Sequence, residues 1–306
     1  MDKQQLTQQI KSEALKLGFA ACGIAQADYL DNDAAYLKSW LAEGMHGSMS
    51  YMANHFEKRT DPRLLVDNVR SVIVVLLNYF PREIQNKSLP QIAKYAYGKD
   101  YHEVIKNKLH QLLQNITAIP SGKPITGRAF TDSAPVLERR WAERAGLGWI
   151  GKNGNLIHPQ FGSFCFIGEL IVDAELDYDC PITDHCGTCS RCLEVCPTQA
   201  LEAPRKLNAN RCISYLTIER KEEIPVYFHS KLSNRLFGCD ICQDVCTWNK
   251  KAQATNIEEF KPIEELLELT KEDWLNLSEE KFNAMLASSS LKRAGYKKII
   301  GTAKYL

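Results

Sequence analysis

Eight of the eleven cysteines in this 306-residue chain fall into two groups with regular spacing. The first group reads CxxCxxCxxxCP, and the second is a single cysteine followed later by CxxCxxxC. The eight are Cys186, Cys189, Cys192, Cys196, Cys212, Cys239, Cys242 and Cys246. The first run has the spacing of ligands to a 4Fe-4S cluster, and in such runs the fourth cysteine ligates a second cluster. We therefore expect metals to organise the fold of this region.

This spacing rule divides the thiols into two sets of four. We assign Cys186, Cys189, Cys192 and Cys246 to one cluster, and Cys196, Cys212, Cys239 and Cys242 to the other. Zinc is the alternative, because CxxC pairs also bind zinc, but the CxxCxxCxxxCP run favours iron and sulfide. Cys22, Cys165 and Cys180 lie outside the pattern and are expected to be spectators, the first two as small buried apolar residues.

The composition is that of an ordinary globular protein. Hydrophobic residues make up 44% of the chain, charged residues 25%, and the net charge is +1. The first residues are polar, without the apolar core of a signal peptide, and no apolar run approaches the ~20 residues of a membrane span. We expect a cytoplasmic protein that does not enter membranes, in which cysteines bind metals rather than pair as disulfides.

The order of sequence signals divides the chain into three parts. Helix and strand signals alternate over residues 1–175, with helices over 4–17 and 101–116 and strands over 69–79 and 161–172, which predicts an α/β layer domain. Residues 176–250 hold the cysteine groups. Residues 251–306 are helical and segregate charge: nine acids stand against three lysines in 251–280, whereas 281–306 holds six basic residues and no acid.

Three other features are open to two interpretations each. Asp132 follows a predicted strand and precedes a helix expected to start at Pro135. It is either a functional acid at a strand end or, as physical grounds alone favour, part of a helix cap formed by Asp132 or Ser133. The glycine-rich residues 145–154 could admit a large ligand but lack a dinucleotide fingerprint, and the simpler interpretation is a flexible turn. His102 is expected to be a surface or capping residue.

The basic C-terminal end also has two interpretations. Lys292, Arg293, Lys297 and Lys298 lie among tyrosines, and positive charge beside aromatic rings suits nucleic acid. The alternative is a solvated helix face whose Leu291 side packs on the core.

Seven segments resemble those of the epoxyqueuosine reductases, cobalamin-dependent iron–sulfur enzymes of tRNA modification. In chain order over residues 57–249 they are EKRTDPRLL, YGKDYH, TDSAPVLER, AERAGLGWIGKN, CGTCSRCLEVCPTQAL, LNANRCISYLT and NRLFGCDICQDVCTWN. The resemblance implies an α/β (α+β) cobalamin-binding domain similar to reductive dehalogenases over 1–175. A ferredoxin-like domain with two 4Fe-4S clusters over 176–250 and a short helical segment over 251–306 would follow.

The resemblance also implies an activity. The family reduces the epoxide of epoxyqueuosine to queuosine at the wobble position of tRNA, the last step of queuosine biosynthesis. It implies that cob(I)alamin, supplied with electrons by the two clusters, carries the chemistry. The partners would be the anticodon stem-loop of tRNA and an electron donor such as a flavodoxin or ferredoxin system, and the protein would be a monomer.

Site residues follow from the same resemblance. The catalytic acid falls on Asp132, and the cobalamin contacts fall on Arg59, Asp132, Leu156, Ile167 and Ser214. Burial beside an apolar corrin would raise the pKa of Asp132, as a proton donor requires. Many members continue into a helical repeat domain that helps to grip tRNA, and this chain stops at Leu306, near where that domain would begin.

Two other functions stay open at this point. One is a different cobalamin and iron–sulfur reductase of the dehalogenase kind, for which a twin-arginine export signal would be expected; the sequence has none. The other is a ferredoxin-like electron carrier, which would not need the domain that precedes the cysteine groups.

Overall fold

The computed structural model describes all 306 residues, which form thirteen α-helices and ten β-strands. The helices are α1 (Lys3–Lys16), α2 (Asp31–Ala42), α3 (Phe56–Thr60), α4 (Tyr101–Thr117), α5 (Glu138–Arg144), α6 (Arg191–Glu194), α7 (Ile213–Ile218), α8 (Val226–His229), α9 (Ile241–Asp244), α10 (Glu264–Glu268), α11 (Lys271–Asn276), α12 (Glu279–Met285) and α13 (Tyr296–Ala303). The strands are β1 (Ala21–Gln26), β2 (Ser71–Asn78), β3 (Gln91–Ile92), β4 (Gly127–Phe130), β5 (Trp149–Ile150), β6 (Leu156–Ile157), β7 (Cys165–Val172), β8 (Leu201–Ala203), β9 (Lys206–Leu207) and β10 (Arg235–Phe237).

A four-stranded sheet with the order β1-β2-β7-β4 forms the centre of the first domain. All three pairings are antiparallel, and the central pair runs from Ser71 opposite Val172 to Asn78 opposite Cys165. The β2 sequence SVIVVLLN is rich in β-branched residues and buried along nearly its whole length, as expected of a strand covered on both faces. The first domain is therefore α+β in its strand directions, within the expected fold class.

Helices cover both faces of this sheet. On one face α1 and α4 bury apolar side chains such as Ile10, Ile105 and Leu109 against the strands. Gly168 in β7 permits this packing, because a Cβ there would lie 2.8 Å from the Ile105 side chain. On the other face α5 buries Trp141 and Ala142. The first turn of α4 and the start of α5 thus lie on opposite sides of the sheet, beside the same strand ends.

The glycine-rich stretch is a hairpin rather than the flexible turn expected from the sequence. Strands β5 and β6 pair with Ile150 opposite Leu156. Gly148 has a φ of 155°, and a Cβ on it would lie 2.3 Å from the carbonyl oxygen of Ile157. The glycine is therefore needed for close backbone contact. The neighbouring helix α5 begins at Glu138, three residues later than Pro135, because the intervening residues form bends.

The C-terminal helices pack on the middle of the chain. Their apolar core joins Trp274, Phe282 and Ile299 to Tyr97 and Phe237. Strand β3 pairs in parallel with β10 and brings these distant segments together. Residues 264–303 are therefore attached to the rest of the molecule through a buried core. No helix has both the length and the apolar character needed to span a bilayer.

Candidate active site and cluster ligands

A cavity of about 530 Å³ opens where the sheet domain, the cysteine-rich region and the C-terminal segment meet. Its wall includes the first residues of α4, the β5–β6 hairpin, the start of β7 and the chain around α7 and α9. Its lining combines polar, aromatic and thiol side chains with aliphatic ones. Among the lining residues are Tyr51, Tyr101, His102, Asp132, Leu156, Cys165, Ile167, Cys196, Cys212, Ser214, Glu219, Cys239, Cys242, Gln243, Ser290 and Arg293. Six of the seven motif segments contribute residues to this one cavity; EKRTDPRLL at residues 57–65 does not.

Asp132 lies just beyond the end of β4, on the cavity wall. Its Oδ2 accepts a hydrogen bond from the Tyr101 hydroxyl and lies 3.5 Å from Nε2 of His102. Its backbone has a φ of 45°, in the left-handed region that residues other than glycine rarely adopt. The residue that caps α5 is Leu137, without a side-chain hydrogen bond, so neither Asp132 nor Ser133 is the cap that the sequence alone favours.

His102 connects Asp132 to a second carboxylate. Its Nδ1 lies 2.7 Å from Oδ1 of Asp100, the residue that caps α4. Burial acts to lower the pKa of His102, but its hydrogen bonds with Asp100 and Asp132 outweigh burial and raise the pKa to about 9. At neutral pH His102 is therefore an imidazolium ion between two carboxylates.

The pKa of Asp132 shifts in the direction opposite to the expectation. Burial is the largest single influence and acts to raise it, but the hydrogen bonds from His102 and Tyr101, together with the charges of His102 and Arg293, outweigh burial and hold the pKa below its usual value. Burial and the charge of Asp132 raise the pKa of Tyr101, so this hydroxyl stays protonated and donates. The proton available at this wall of the cavity consequently rests on His102 and not on Asp132.

Sequence reasoning missed Tyr101 and His102 as site residues. Both stand in the YGKDYH segment, about thirty positions before their partner, and no spacing rule connects a helix start with a strand end so far along the chain. A signal was present nonetheless: Asp100 both caps the longest helix and lies two residues before His102, which fixes the imidazole at the helix N-terminus.

The cysteines of the two assigned sets lie near one another. Burial and then the neighbouring thiols of Cys186, Cys246 and Cys189 raise the pKa of Cys192. In the other set, burial and then the thiols of Cys239 and Cys212 raise the pKa of Cys242, and Cys196 lies beside Cys212 in the same way. All eleven cysteines are free thiols. No three His, Cys, Asp or Glu side chains converge on a point as they would around one ion.

The two sets differ in their relation to the cavity. Cys196, Cys212, Cys239 and Cys242 all line it, whereas none of the other four does, and Cys189 is exposed on the surface. Cys242 and Cys192 are close enough for their charges to interact, so the sets are adjacent. We call them the inner set and the outer set.

Four of the five residues expected to contact cobalamin line the cavity, namely Asp132, Leu156, Ile167 and Ser214. Arg59 does not line it. Its Nη2 donates to the carbonyl oxygen of Tyr51 at 2.8 Å, and Tyr51 forms part of the wall. Arg59 therefore lies behind the wall and supports it.

The cavity wall offers free polar atoms to a large ligand. Oε1 of Gln243 and Oγ of Ser290 are buried without a hydrogen-bond partner, as is Nε of Arg59 behind Tyr51. Most of the remaining wall is apolar or aromatic. A large, flat, mainly apolar molecule with amide groups at its edge, such as a corrin, fits this combination of surfaces.

Two expectations about single residues need amendment. Burial raises the pKa of Cys22 and of Cys165 to about 12, as expected for inert thiols, but Cys165 also lines the cavity. The C-terminal basic residues differ in exposure and pairing: Lys292, Arg293 and Lys297 are exposed, Lys298 is half-buried, and Arg293 also pairs with Glu219 at 2.7 Å on the cavity wall.

Comparisons with known proteins agree with this arrangement. A family model described as "4Fe-4S double cluster binding domain" matches residues 185–249, and one described as "Epoxyqueuosine reductase QueG, DUF1730" matches residues 59–133. The first match supports iron–sulfur clusters over zinc. Among curated relatives, the epoxyqueuosine reductase of Cellulophaga algicola is 50% identical over 294 residues, which are 96% of this chain and 95% of the relative.

Solved structures extend the comparison. An epoxyqueuosine reductase crystallised with a tRNA-Tyr epoxyqueuosine-modified stem loop matches with a TM-score of 0.89 and 31% identity, over 98% of this chain and 80% of that one. A reductive dehalogenase, studied for B12-dependent dehalogenation, matches with a TM-score of 0.50 and 15% identity over 98% of this chain and 38% of that one. The second match shows a shared fold and nothing more.

Proposed function

The chain belongs to the epoxyqueuosine reductase family, which reduces the epoxide of epoxyqueuosine to queuosine, and we propose that the cavity beside Asp132 is where this chain performs that reduction. The observation that carries the proposal is the composition of the wall. A proton-holding group of Asp132, Tyr101 and His102 lines the same cavity as the four thiols of the inner set. A ferredoxin-like carrier would have no use for such a group.

The residues present fit two kinds of bound cofactor. We propose that the outer set, Cys186, Cys189, Cys192 and Cys246, and the inner set, Cys196, Cys212, Cys239 and Cys242, each hold one 4Fe-4S cluster. Cobalamin would lie against Leu156 and Ile167, with Ser214 and the Arg59–Tyr51 pair at its edge. When bound, these groups supply electrons and a strongly reducing cobalt centre, which is chemistry that no protein side chain provides.

The residues of this chain would manage the protons. The reaction takes up two electrons and two protons and releases the epoxide oxygen as water, so an acid must meet that oxygen as its bond to carbon breaks. We propose that Asp132 delivers the proton and receives it from the His102 imidazolium, whose Nε2 faces the same Oδ2. Tyr101 keeps the carboxylate in place by donating to that oxygen.

The substrate would be the epoxyqueuosine nucleotide within a tRNA anticodon stem-loop, as in the solved relative. Its base must leave the stack to enter the cavity. We propose that Lys292, Arg293, Lys297 and Lys298 bind the tRNA in two ways. Arg293 would meet the nucleotide at the cavity wall, and the lysines would meet phosphates outside it.

Access to the clusters suggests how electrons enter. Cys189 of the outer set is exposed, whereas the inner set lines the cavity. We propose that a flavodoxin or ferredoxin system docks beside the outer set. We also propose a monomer that works in the cytoplasm, with residues 1–175 as cofactor domain, 176–250 as cluster domain and 251–306 as the segment that completes the cavity.

An assay on the reconstituted protein tests this function. Protein loaded anaerobically with iron and sulfide, then given cobalamin, a chemical reductant and epoxyqueuosine-containing tRNA, should form queuosine, detected by mass spectrometry of the nucleosides. Asp132→Asn should lower turnover by about 10²–10⁴-fold while the absorbance of clusters and cobalamin persists. Ser133→Ala, at an exposed neighbour, is the matched control and should keep full turnover. Wild-type activity in Asp132→Asn would remove that residue from the mechanism.

A further inference from the structure

The carboxyl group of Glu138 accepts a hydrogen bond from the main-chain N–H of Asp132, through Oε1. Glu138 is the first residue of α5, and that helix is fixed beneath the sheet by fully buried Trp141 and Ala142. The acceptor therefore stands on a rigid element. Neither the family resemblance nor the charge of the site assigns this residue a role.

Asp132 needs such support because of its place in the chain. On its N-terminal side the chain is anchored: Thr131 is buried, and its hydroxyl donates to the carbonyl oxygen of Ile167 at 3.0 Å. On its C-terminal side, residues 133–137 form bends and irregular chain without helix or strand. Aspartate tolerates the left-handed region better than most residues, but the Asp132 main chain makes no backbone–backbone hydrogen bond, so its position depends on a side-chain contact.

The location of the Asp132 carboxyl depends on this backbone position. A shift of the Asp132 backbone away from α5 would carry its side chain away from the Tyr101 hydroxyl and from Nε2 of His102. Proton transfer demands heavy atoms within hydrogen-bond reach, so a small misplacement would break the connection to His102. The bond to Glu138 is the one hydrogen bond that the Asp132 main chain makes, and it opposes this shift by tying the Asp132 nitrogen to a helix.

Glu138 does not need a negative charge to act as acceptor. Burial and the nearby charge of Asp132 raise its pKa to about 8, and on the sheet side it faces Glu169, which is fully buried with both carboxyl oxygens unpartnered. This shift favours the neutral acid, and a neutral carboxyl oxygen still accepts an N–H. A glutamine amide oxygen offers the same acceptor at the same reach.

We propose that Glu138 is the positioning residue for Asp132: by accepting the Asp132 N–H it holds the Asp132 backbone against α5 and so keeps the Asp132 carboxyl within reach of Tyr101 and His102. The inference rests on the proposed function for the role of Asp132, but the conformational part stands on the contacts alone.

Two substitutions of nearly equal size separate positioning from other roles. Glu138→Gln keeps an oxygen acceptor and removes the ionisable proton, whereas Glu138→Met removes the acceptor. With saturating tRNA, Glu138→Met should lower kcat by about 10²-fold with KM for tRNA unchanged, and Glu138→Gln should stay within a few-fold of wild type. Full activity in both variants overturns the proposal, and so does equal loss in both, since equal loss would mean that the acid proton matters and the acceptor does not.

Hydrogen exchange provides a readout that needs no turnover. In the cluster-loaded protein, the peptide that contains residues 131–137 should exchange faster in Glu138→Met than in wild type, and at the wild-type rate in Glu138→Gln. Glu143→Met is the matched control, because it removes a comparable bond from the same helix, Oε1 of Glu143 to the Ile150 N–H at 3.0 Å, without touching Asp132. Should Glu138→Met lose its clusters, Glu138→Ala, which cannot overfill the site, replaces it.

The activity assay and the hydrogen-exchange measurement distinguish failure of the proposed function from failure of the positioning role. If wild-type protein forms no queuosine but Glu138→Met still speeds exchange at residues 131–137, the proposed function is wrong and the positioning role holds. If exchange at these residues is unchanged in Glu138→Met and in Glu138→Ala, Glu138 does not hold Asp132, whatever the assay shows.

Discussion

His102 holds the proton that we propose Asp132 delivers, and the pKa of His102 sets the expected pH range of the enzyme. The two groups lie 3.5 Å apart, with the pKa of His102 raised to about 9 and that of Asp132 lowered. The pair keeps one proton until the pH rises through about 9. Turnover at saturating tRNA should therefore hold through neutral pH and fall on the alkaline side near pH 9.

Replacing the imidazole of His102 should change the pH at which turnover falls. In His102→Asn, Asp132 loses its principal hydrogen-bonding cation, so its pKa should rise while the store of protons at pH 9 disappears. We expect a lower kcat, and we expect the alkaline fall in kcat to begin at a lower pH than in wild type. Measuring kcat against pH for both proteins tests this. His110→Asn, a histidine on the same helix α4 and outside the cavity wall, serves as control. An unchanged alkaline fall in His102→Asn would contradict this role of His102.

Glu169 gives the fold its own dependence on pH. It lies in the middle of β7, fully buried and unpartnered, and burial followed by the charges of Glu138 and Asp132 raises its pKa well above 4.5. The folded state therefore keeps this proton at pH values where the unfolded chain has released it. The stability that Glu169 contributes is complete below pH 4.5 and declines as the pH rises from there through the folded-state pKa.

Glutamine at this position should remove that decline. The Tm of Glu169→Gln minus the Tm of wild type should grow between pH 5 and pH 8, measured anaerobically with clusters in place. The exposed Glu175→Gln is the control and should show no such trend. A difference that stays constant with pH would mean that Glu169 is not protonated in the folded protein.

At the level of elements, the two cysteine sets should behave as separate units. Reconstituted protein should hold about eight iron atoms, four per cluster, and Cys186→Ala should lose about half of them while the inner cluster remains. Cys180→Ala is the control, since Cys180 is exposed and belongs to neither set. Iron analysis with electron paramagnetic resonance measures both numbers. About four iron atoms in the intact protein would contradict the assignment.

The sequence predicted the helices and strands that have long, regular apolar patterns. It did not predict the relative direction of the strands or which segments pair with one another. Helices α1 and α4 and strands β2 and β7 lie within a few residues of their predicted bounds, because each buries a continuous apolar face. The antiparallel order of the sheet could not be read, since alternation of helix and strand is compatible with either direction. The hairpin at residues 149–157 was missed because glycine signals a turn without indicating its partner.

Contacts between distant segments were also the part of the candidate site that the sequence did not predict. The two cysteine sets could be proposed from local spacing, and Asp132 was singled out by the family resemblance of its segment, because physical reasoning alone favoured a helix cap there. Tyr101, His102 and Glu138 acquire roles only from the fold, through hydrogen bonds to a residue that the sequence does not connect with them. A site built from residues at regular spacing in the chain can be predicted from the sequence. A site built from residues that only the fold brings together requires the three-dimensional structure.

At the scale of the whole molecule, the basic residues of the C-terminal segment should contribute to tRNA recognition in different ways. Exposed Lys292 and Lys297 are free to contact phosphates, so replacing both with alanine should reduce the slope of log affinity against log salt by about two. Arg293→Ala should instead impair turnover, because Arg293 lies on the cavity wall with Glu219. Binding titrations at several salt concentrations measure the slope, with Lys123→Ala, on the first domain, as control. Equal slopes throughout would show that the two lysines are only a solvated face.

The wall formed by Ser290 and Arg293 also has a consequence for biosynthesis of the protein. A ribosome releases the sheet domain and the cysteine region first, and only then the residues that close this side of the cavity. Ser290 and Arg293 are therefore the last residues of this wall to be synthesised, after the inner set and Asp132. Because the same segment shares a buried core with Tyr97 and Phe237, we expect the cavity to take its final shape only when synthesis of the C-terminal helices is complete.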